Sequence, residues 1–273
     1  MLTDAHCHIY DLARFFPVGS LIEEIAKTGC LVQCAASAWH REEFEFQERF
    51  AHTIMKKTNG VSIIRCFAVH PQLPAVKPEA VNTSLETLYA MAAENRLGAI
   101  GETGFDLFNP PGRGGDRTDY RVTEKAQDEL FAAHLDLAIT KGLPLVLHIR
   151  KAMHKVFAYS NRLKNVSAVV FHSYSGTFED GKNLLRRGIN AYFSFGTPLL
   201  LNHKTAQSAC ARLPPDRLLS ETDAPYQPLR GEAFSHWGNM PAIVEKIAEL
   251  RKESMNSETI AAVIEENFRI AYG

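Results

Sequence analysis

Short, β-rich apolar runs recur along the whole sequence: Leu2–Ala5, Leu31–Ala36, Ile63–Val69, Leu97–Gly101, Pro144–His148, Ala168–His172, Asn190–Phe195 and Leu218–Glu221. Stretches with helical spacing separate them: Ser20–Thr28, Glu42–Lys57, Ser84–Asn95, Gln127–Lys141, Met153–Leu163, Glu179–Arg187 and Lys204–Arg212. Two more, Asn239–Leu250 and Ser257–Ala271, follow the last run, with Asn239 and Ser257 read as their caps. Strands that are apolar throughout and alternate with helices predict a parallel sheet covered by helices. Eight such units fit an α/β fold of the (β/α)8 TIM-barrel type, and 273 residues suit one such domain over 1–273. An open doubly wound sheet is the alternative, but no glycine-rich phosphate loop follows the first strand to support it.

A core of this size needs neither disulfides nor a structural metal, so a metal here is expected to serve catalysis. The formal net charge is -1, which provides no global basic field for long nucleic acid. A phosphate-bearing substrate must then be held by local cations or by metal. The five cysteines, Cys7, Cys30, Cys34, Cys66 and Cys210, form no C-x-x-C pair and read as reduced thiols of a cytoplasmic protein. The start has no cationic signal-peptide region, and no apolar run is long enough to span a membrane. Neither a membrane nor an obligate protein partner is expected.

The ends of the strand-like runs carry the chemistry. In order they close on His6 and His8, His70, Glu102, His148 with Arg150, His172, and Asp223. Side chains alternate along a strand, so His6 and His8 share a face and Cys7 takes the other. A His-x-His pair alone is a weak signal. Its weight comes from metal-ligand residue types at the same end of successive strands, the end where barrel enzymes keep their active sites. Asp106–Tyr120 is rich in Pro and Gly and is expected to be a loop over that face. Its region carries Arg113, Arg117 and Arg121, as either a solvated surface or a cationic cover for a substrate anion. His40, His52, His134, His154, His203 and His236 show no partner pattern and read as surface or satisfied histidines, and Lys151 and Lys155 as surface residues.

Taken together, the motifs resemble the TatD-type deoxyribonucleases of the amidohydrolase-like superfamily. They are Asp4-Ala5-His6-Cys7-His8, Val69-His70-Pro71-Gln72, Gly101-Glu102-Thr103-Gly104-Phe105-Asp106, Leu147-His148-Ile149-Arg150, His172-Ser173-Tyr174-Ser175-Gly176 and Glu221-Thr222-Asp223-Ala224-Pro225-Tyr226. The resemblance implies a hydrolase with two divalent ions (Mg, Mn or Zn). His6, His8 and Asp223 would hold one ion, His148 and His172 the other, and Glu102 would bridge them. Two ions about 3.5–4 Å apart are a common clamp for phosphodiester hydrolysis. Asp223 would orient the attacking water and accept its proton, so Asp223 and Glu102 are the catalytic candidates. Arg150 and His70 are the substrate-binding candidates, with a structural role equally open for His70. Asp4 is read as the partner of a ligand histidine. The implied substrate is DNA or a short phosphodiester, cut exonucleolytically. Hydrolysis of an amide, lactone or ester is the alternative, and a metal-binding scaffold without catalysis a second. Two departures from the family pattern, Ser173-Tyr174 after His172 and Asn239-Met240-Pro241 near the end, lie around the mouth and bear on substrate more than on hydrolysis.

Overall fold

The protein is described from a computed structural model covering residues 2–17, 19–20, 23, 31–57, 61–108, 117–251 and 256–273. Eight strands pair side by side in chain order, every pair parallel. They are β1 (Leu2–Cys7), β2 (Leu31–Ala38), β3 (Ser62–Phe67), β4 (Ala99–Asp106), β5 (Leu145–Arg150), β6 (Val169–Phe171), β7 (Ala191–Phe195) and β8 (Leu218–Ser220). The ends meet without a ladder. Asp223 N–H donates to the His6 carbonyl at 3.0 Å, His8 N–H to the Ala224 carbonyl at 2.7 Å, and the Ser220 hydroxyl to the Thr3 carbonyl at 2.8 Å. The result is the expected (β/α)8 barrel, nearly closed.

The core divides by face. Large side chains such as Phe67, Leu88, Phe105, Phe131, Phe171 and Ile243 pack strands against the helices around them. Small residues of the strands (Ala5, Ala35, Cys66 and Ala99), with Ala168 just before β6, gather around Tyr192 and the last helix's Phe268 and Tyr272. The Tyr272 hydroxyl donates to the Ala5 carbonyl at 2.8 Å, tying Ser257–Tyr272 to β1.

Most helices fall where the spacing places them: Arg41–Lys57, Val81–Ala93, Phe178–Arg186, Lys204–Arg212 and Met240–Leu250. Three readings are corrected. The expected Met153–Leu163 helix breaks at Tyr159 into Met153–Ala158 and Ser160–Leu163. The cap of the last helix is Asn256, whose Oδ1 accepts from Thr259 N–H at 2.8 Å, while Asn239 makes no side-chain cap bond. The helix expected at Gln127 already begins at Arg117, so 117–120 are helical and not loop. The expected Ser20–Thr28 helix, Cys30 and Arg113 lie largely or wholly outside the described residues, as do the side chains of Arg117 and Arg121.

The most consequential difference is in β4. The apolar run stops at Gly101 and a loop is expected from Asp106, yet the strand runs on to Asp106. Thr103–Asp106 pair with Leu147–Arg150 after a shift of register. The glycines permit this. A Cβ on Gly101 would collide with Val146, and one on Gly104, whose φ is +137°, with the His148 carbonyl.

One buried histidine supports the wall beside the site. His134 is fully buried, its Nε2 accepts from Val69 N–H at 2.9 Å and its Nδ1–H donates to the Leu130 carbonyl at 2.6 Å. It is a satisfied histidine, as expected. Burial pushes its pKa from 6.5 down to about 4. The unfolded chain therefore takes up a proton that the folded one refuses. The stability His134 contributes is present above about pH 6.5 and is lost as pH falls toward about 4, by about 3 kcal/mol. In urea titrations at the two pH values, His134→Gln is expected to start less stable at pH 7 and to lose about 3 kcal/mol less on acidification. A variant with the wild-type pH dependence would contradict this.

Candidate metal centre

The strand ends bring all six expected ligands together. His6 lies on β1 and His8 just beyond it; Glu102 lies on β4, His148 on β5, His172 after β6 and Asp223 after β8. Glu102 is at the centre, and its two oxygens face different partners. Oε2 is 3.3 Å from His6 Nε2 and 3.6 Å from His8 Nε2. Oε1 is 2.5 Å from His148 Nδ1, 2.7 Å from His172 Nε2 and 3.3 Å from His70 Nε2. Asp223 Oδ1 completes the first side, at 3.6 Å from His6 Nε2 and 3.5 Å from His8 Nε2. The donor atoms fall into three compact trios: His6, His8 and Asp223; His6, Glu102 and His172; and His70, Glu102 and His148.

The far side of each imidazole distinguishes ligand from donor. His148 Nε2 is 3.0 Å from Asp106 Oδ2, and His172 Nδ1 is 3.6 Å from Glu221 Oε1. The Asp106 carboxylate, held low, only accepts, so His148 carries a proton on Nε2 and turns Nδ1 toward Glu102; His172 turns Nε2 toward Glu102, with Nδ1 on the Glu221 side beyond hydrogen-bond distance. This carboxylate–histidine arrangement orients metal-binding imidazoles. His70 is the opposite case. Its Nδ1 accepts from Gln72 N–H at 3.2 Å, so the neutral ring carries its proton on Nε2, aimed into the centre. His70 is thus set to donate a hydrogen bond there rather than to ligate. These tautomers are assigned from the bonding pattern.

The electrostatics agree. Burial would raise the Glu102 carboxyl, but His172, His70, His148 and His6 hold it well below the usual carboxylate range. Burial disfavours a charge on His172, and Glu102 with Glu221 overcomes it, leaving its pKa well above the usual value. His148 is raised in the same way, against burial, by Glu102 and Asp106, and His8, also against burial, by Asp223. His6 and His70 are lowered, mainly by burial. Asp223 is lowered, against burial, by His8. A cluster of imidazoles around anionic carboxylates suits a divalent cation, which takes the place of imidazole protons. The donor set therefore fits a divalent cation, with His6, His8 and Asp223 on the side of one Glu102 oxygen and His148 and His172 on the side of the other.

Several supporting residues escaped the sequence reading. Asp106, expected as the first loop residue, is buried and organises one side of the site. Its Oδ2 accepts from Gln72 Nε2 at 2.6 Å besides facing His148, and its Oδ1 accepts from Phe108 N–H at 3.0 Å. Burial would raise it, and His148 in particular brings its pKa down to about 2. Glu221 is fully buried behind His172 and accepts from Ser173 N–H at 2.6 Å. Gln227 Nε2 donates to Asp223 Oδ2 at 2.7 Å and to Ser173 Oγ at 2.8 Å. Ser173, Asp223 and Gln227 have φ of +44°, +53° and +59°, conformations that cost roughly 1–3 kcal/mol each and persist only under such constraint.

The Asp4 reading needs correction. It accepts from His6 N–H at 3.2 Å, Thr222 N–H at 3.0 Å and Thr222 Oγ1 at 2.6 Å, so it braces the backbone of β1 against the turn carrying Asp223. The group beside the His6 ring is the Ser37 hydroxyl, 3.4 Å from Nδ1. Burial pushes Asp4 up to about 7, against its three hydrogen bonds. Cys7 is buried, as expected, with its thiol directed at the Ala35 carbonyl.

The centre opens into a cavity of about 660 Å³. Trp39, Leu73, Val76 and Lys77 form one wall, and Tyr174, Pro198, His203 and Ala206 another. Arg150 lines it too, with its guanidinium 4.4 Å from the Phe108 ring centroid and Nη1 3.4 Å from Asp106 Oδ2. His203, read as a surface histidine, is exposed but belongs to this wall.

Comparison with known proteins points the same way. The sequence profile described as TatD related DNase matches residues 3–273. The uncharacterized metal-dependent hydrolase TatD of Mycobacterium tuberculosis is 32% identical over 283 residues, covering 100% of this chain and 98% of that protein. The uncharacterized metal-dependent hydrolase YcfH of Escherichia coli is 30% identical over 190 residues, covering 67% of this chain and 66% of that one. Among solved structures, the TatD homolog YJJV of Escherichia coli K12 superposes with a TM-score of 0.78 at 23% identity, covering 99% of this chain and 97% of that one, a likeness of fold. The full-length profile match and the full-length Mycobacterium relative place the chain in the TatD family of metal-dependent hydrolases.

Proposed function

We propose that this protein is a two-metal phosphodiesterase that removes nucleotides from a DNA end. The observation that carries the reading is the division of labour in Glu102: Oε2 faces the His6–His8 side and Oε1 the His148–His172 side. Two divalent ions held this way would supply Lewis acidity and neutralise charge on the phosphoryl group.

The chain's own groups supply the rest. Asp223 has Oδ1 in the centre and Oδ2 fixed by Gln227, so one oxygen is available to receive a proton from the attacking water. His70 presents an N–H to a non-bridging phosphate oxygen, and Arg150 adds a fixed positive charge. A cavity of about 660 Å³ suits a nucleotide-sized portion of substrate and not a duplex, which favours a strand end. The family's description as a DNase supports DNA over other phosphodiesters.

Parallel turnover of bis(4-nitrophenyl) phosphate, 4-nitrophenyl acetate and a 3′- or 5′-labelled single-stranded oligonucleotide tests this. Hydrolysis of the phosphodiester and stepwise shortening of the DNA are expected. Both should stop with a chelator and return with added Mn or Mg. Metal-dependent hydrolysis confined to the acetate ester would overturn the proposal and favour the amidohydrolase-type reading.

A further inference from the structure

The catalytic cavity does not end at Arg150. A second cavity of about 710 Å³ adjoins it, and Arg150, Ser175 and His203 line both. Beyond this shared wall the second bay presents Lys151, His154 and Thr205. Both Lys151 and His154 are exposed, and neither has an ion pair among the described residues. Among the described residues the bay's lining includes one carboxylate, Asp180, whose Oδ2 accepts from Thr177 N–H and the Thr177 hydroxyl at 2.9 and 2.7 Å. The bay therefore sets two cations, Arg150 and Lys151, with an imidazole and hydroxyls, against one carboxylate. That chemistry selects an anion.

Its position indicates which anion. Lys151 directly follows Arg150 at the end of β5, three residues after His148, and its φ of +56° turns the chain out of the strand toward the helix Met153–Ala158. An extended strand advances about 3.3 Å per residue, so the bay starts within roughly one nucleotide's reach of the metal centre. We infer that Lys151 and His154 form a subsite for the phosphate next to the scissile one on a single nucleic-acid strand. The inference rests on the phosphodiesterase reading and adds a requirement for a chain with at least two phosphates.

The test uses Lys151→Asn with His154→Gln, because asparagine tolerates the left-handed backbone that Lys151 adopts. For wild type and variant, kcat/KM is measured on a single-stranded trinucleotide and on bis(4-nitrophenyl) phosphate, which has no flanking phosphate. The ratio of the two is expected to fall about tenfold in the variant, through KM, and the salt dependence on the trinucleotide to become shallower by about one unit of slope. An unchanged ratio overturns the subsite. Binding of a labelled trinucleotide under chelation separates this failure from failure of the phosphodiesterase reading, since it needs no turnover. There the variant is expected to bind about tenfold more weakly. Equal affinity in variant and wild type, or no binding to wild type, overturns the subsite even if neither substrate is hydrolysed.

Discussion

Replacing Glu102 by glutamine is expected to lower kcat on a phosphodiester by on the order of 10³-fold or more, well beyond the roughly 10–100-fold of a residue that merely orients a ligand. The substitution preserves shape and removes charge. Four imidazoles, those of His6, His70, His148 and His172, lie within 3.3 Å of the two carboxylate oxygens. An amide would present a hydrogen-bond donor to one of these clusters and could not bridge two cations. Activity near the wild-type level in Glu102→Gln would mean that the two halves of the site work independently, and the bridging role would be lost.

Asp223→Asn is the second large effect. Asparagine keeps one oxygen that can face the first ion, but its amide NH2 then meets the Gln227 Nε2 donor, and it cannot take a proton. A fall in kcat of about 10²–10⁴-fold is expected, with kcat/KM falling in step, because the lost interaction belongs to the transition state. Steady-state kinetics at saturating metal separate this from a ligand defect. A variant whose activity is restored simply by raising the metal concentration would show that Asp223 serves only as a ligand.

Much of this centre was legible because two periodicities coincide. The period of two along β1 puts His6 and His8 on one face, and the βα repeat delivers Glu102, His148, His172 and Asp223 to the same end of the barrel. What escaped lay where local signals mislead. Asp106 opens the Pro- and Gly-rich stretch expected as a loop, but Gly101 and Gly104 let β4 approach β5 and continue to Asp106. The signal that could have found it was present: Asp106 shares strand parity with Glu102. Glu221 and Gln227 could not be assigned this way, since their roles depend on left-handed turns after β6 and β8 that bring Ser173 and Asp223 within reach. Asp4 had the right parity and the wrong partner, because one residue's alternation does not reveal that the neighbouring strand end offers Thr222.

The same geometry explains why His70 stands apart from the ligands although it touches Glu102. A backbone N–H occupies its Nδ1, whereas carboxylates lie behind His148 and His172. Sequence spacing does not record what lies behind a ring. The difference decides which nitrogen keeps its proton, and so which histidines can bind a cation.

The most direct test of the two-ion centre is a count of ions. The purified protein is stripped with a chelator, dialysed to equilibrium against Mn, and measured by elemental analysis beside His172→Ala. The account predicts two tightly held ions per wild-type chain and one per variant chain, because only the His148–His172 side is opened. One ion in both proteins, or two in both, would contradict it.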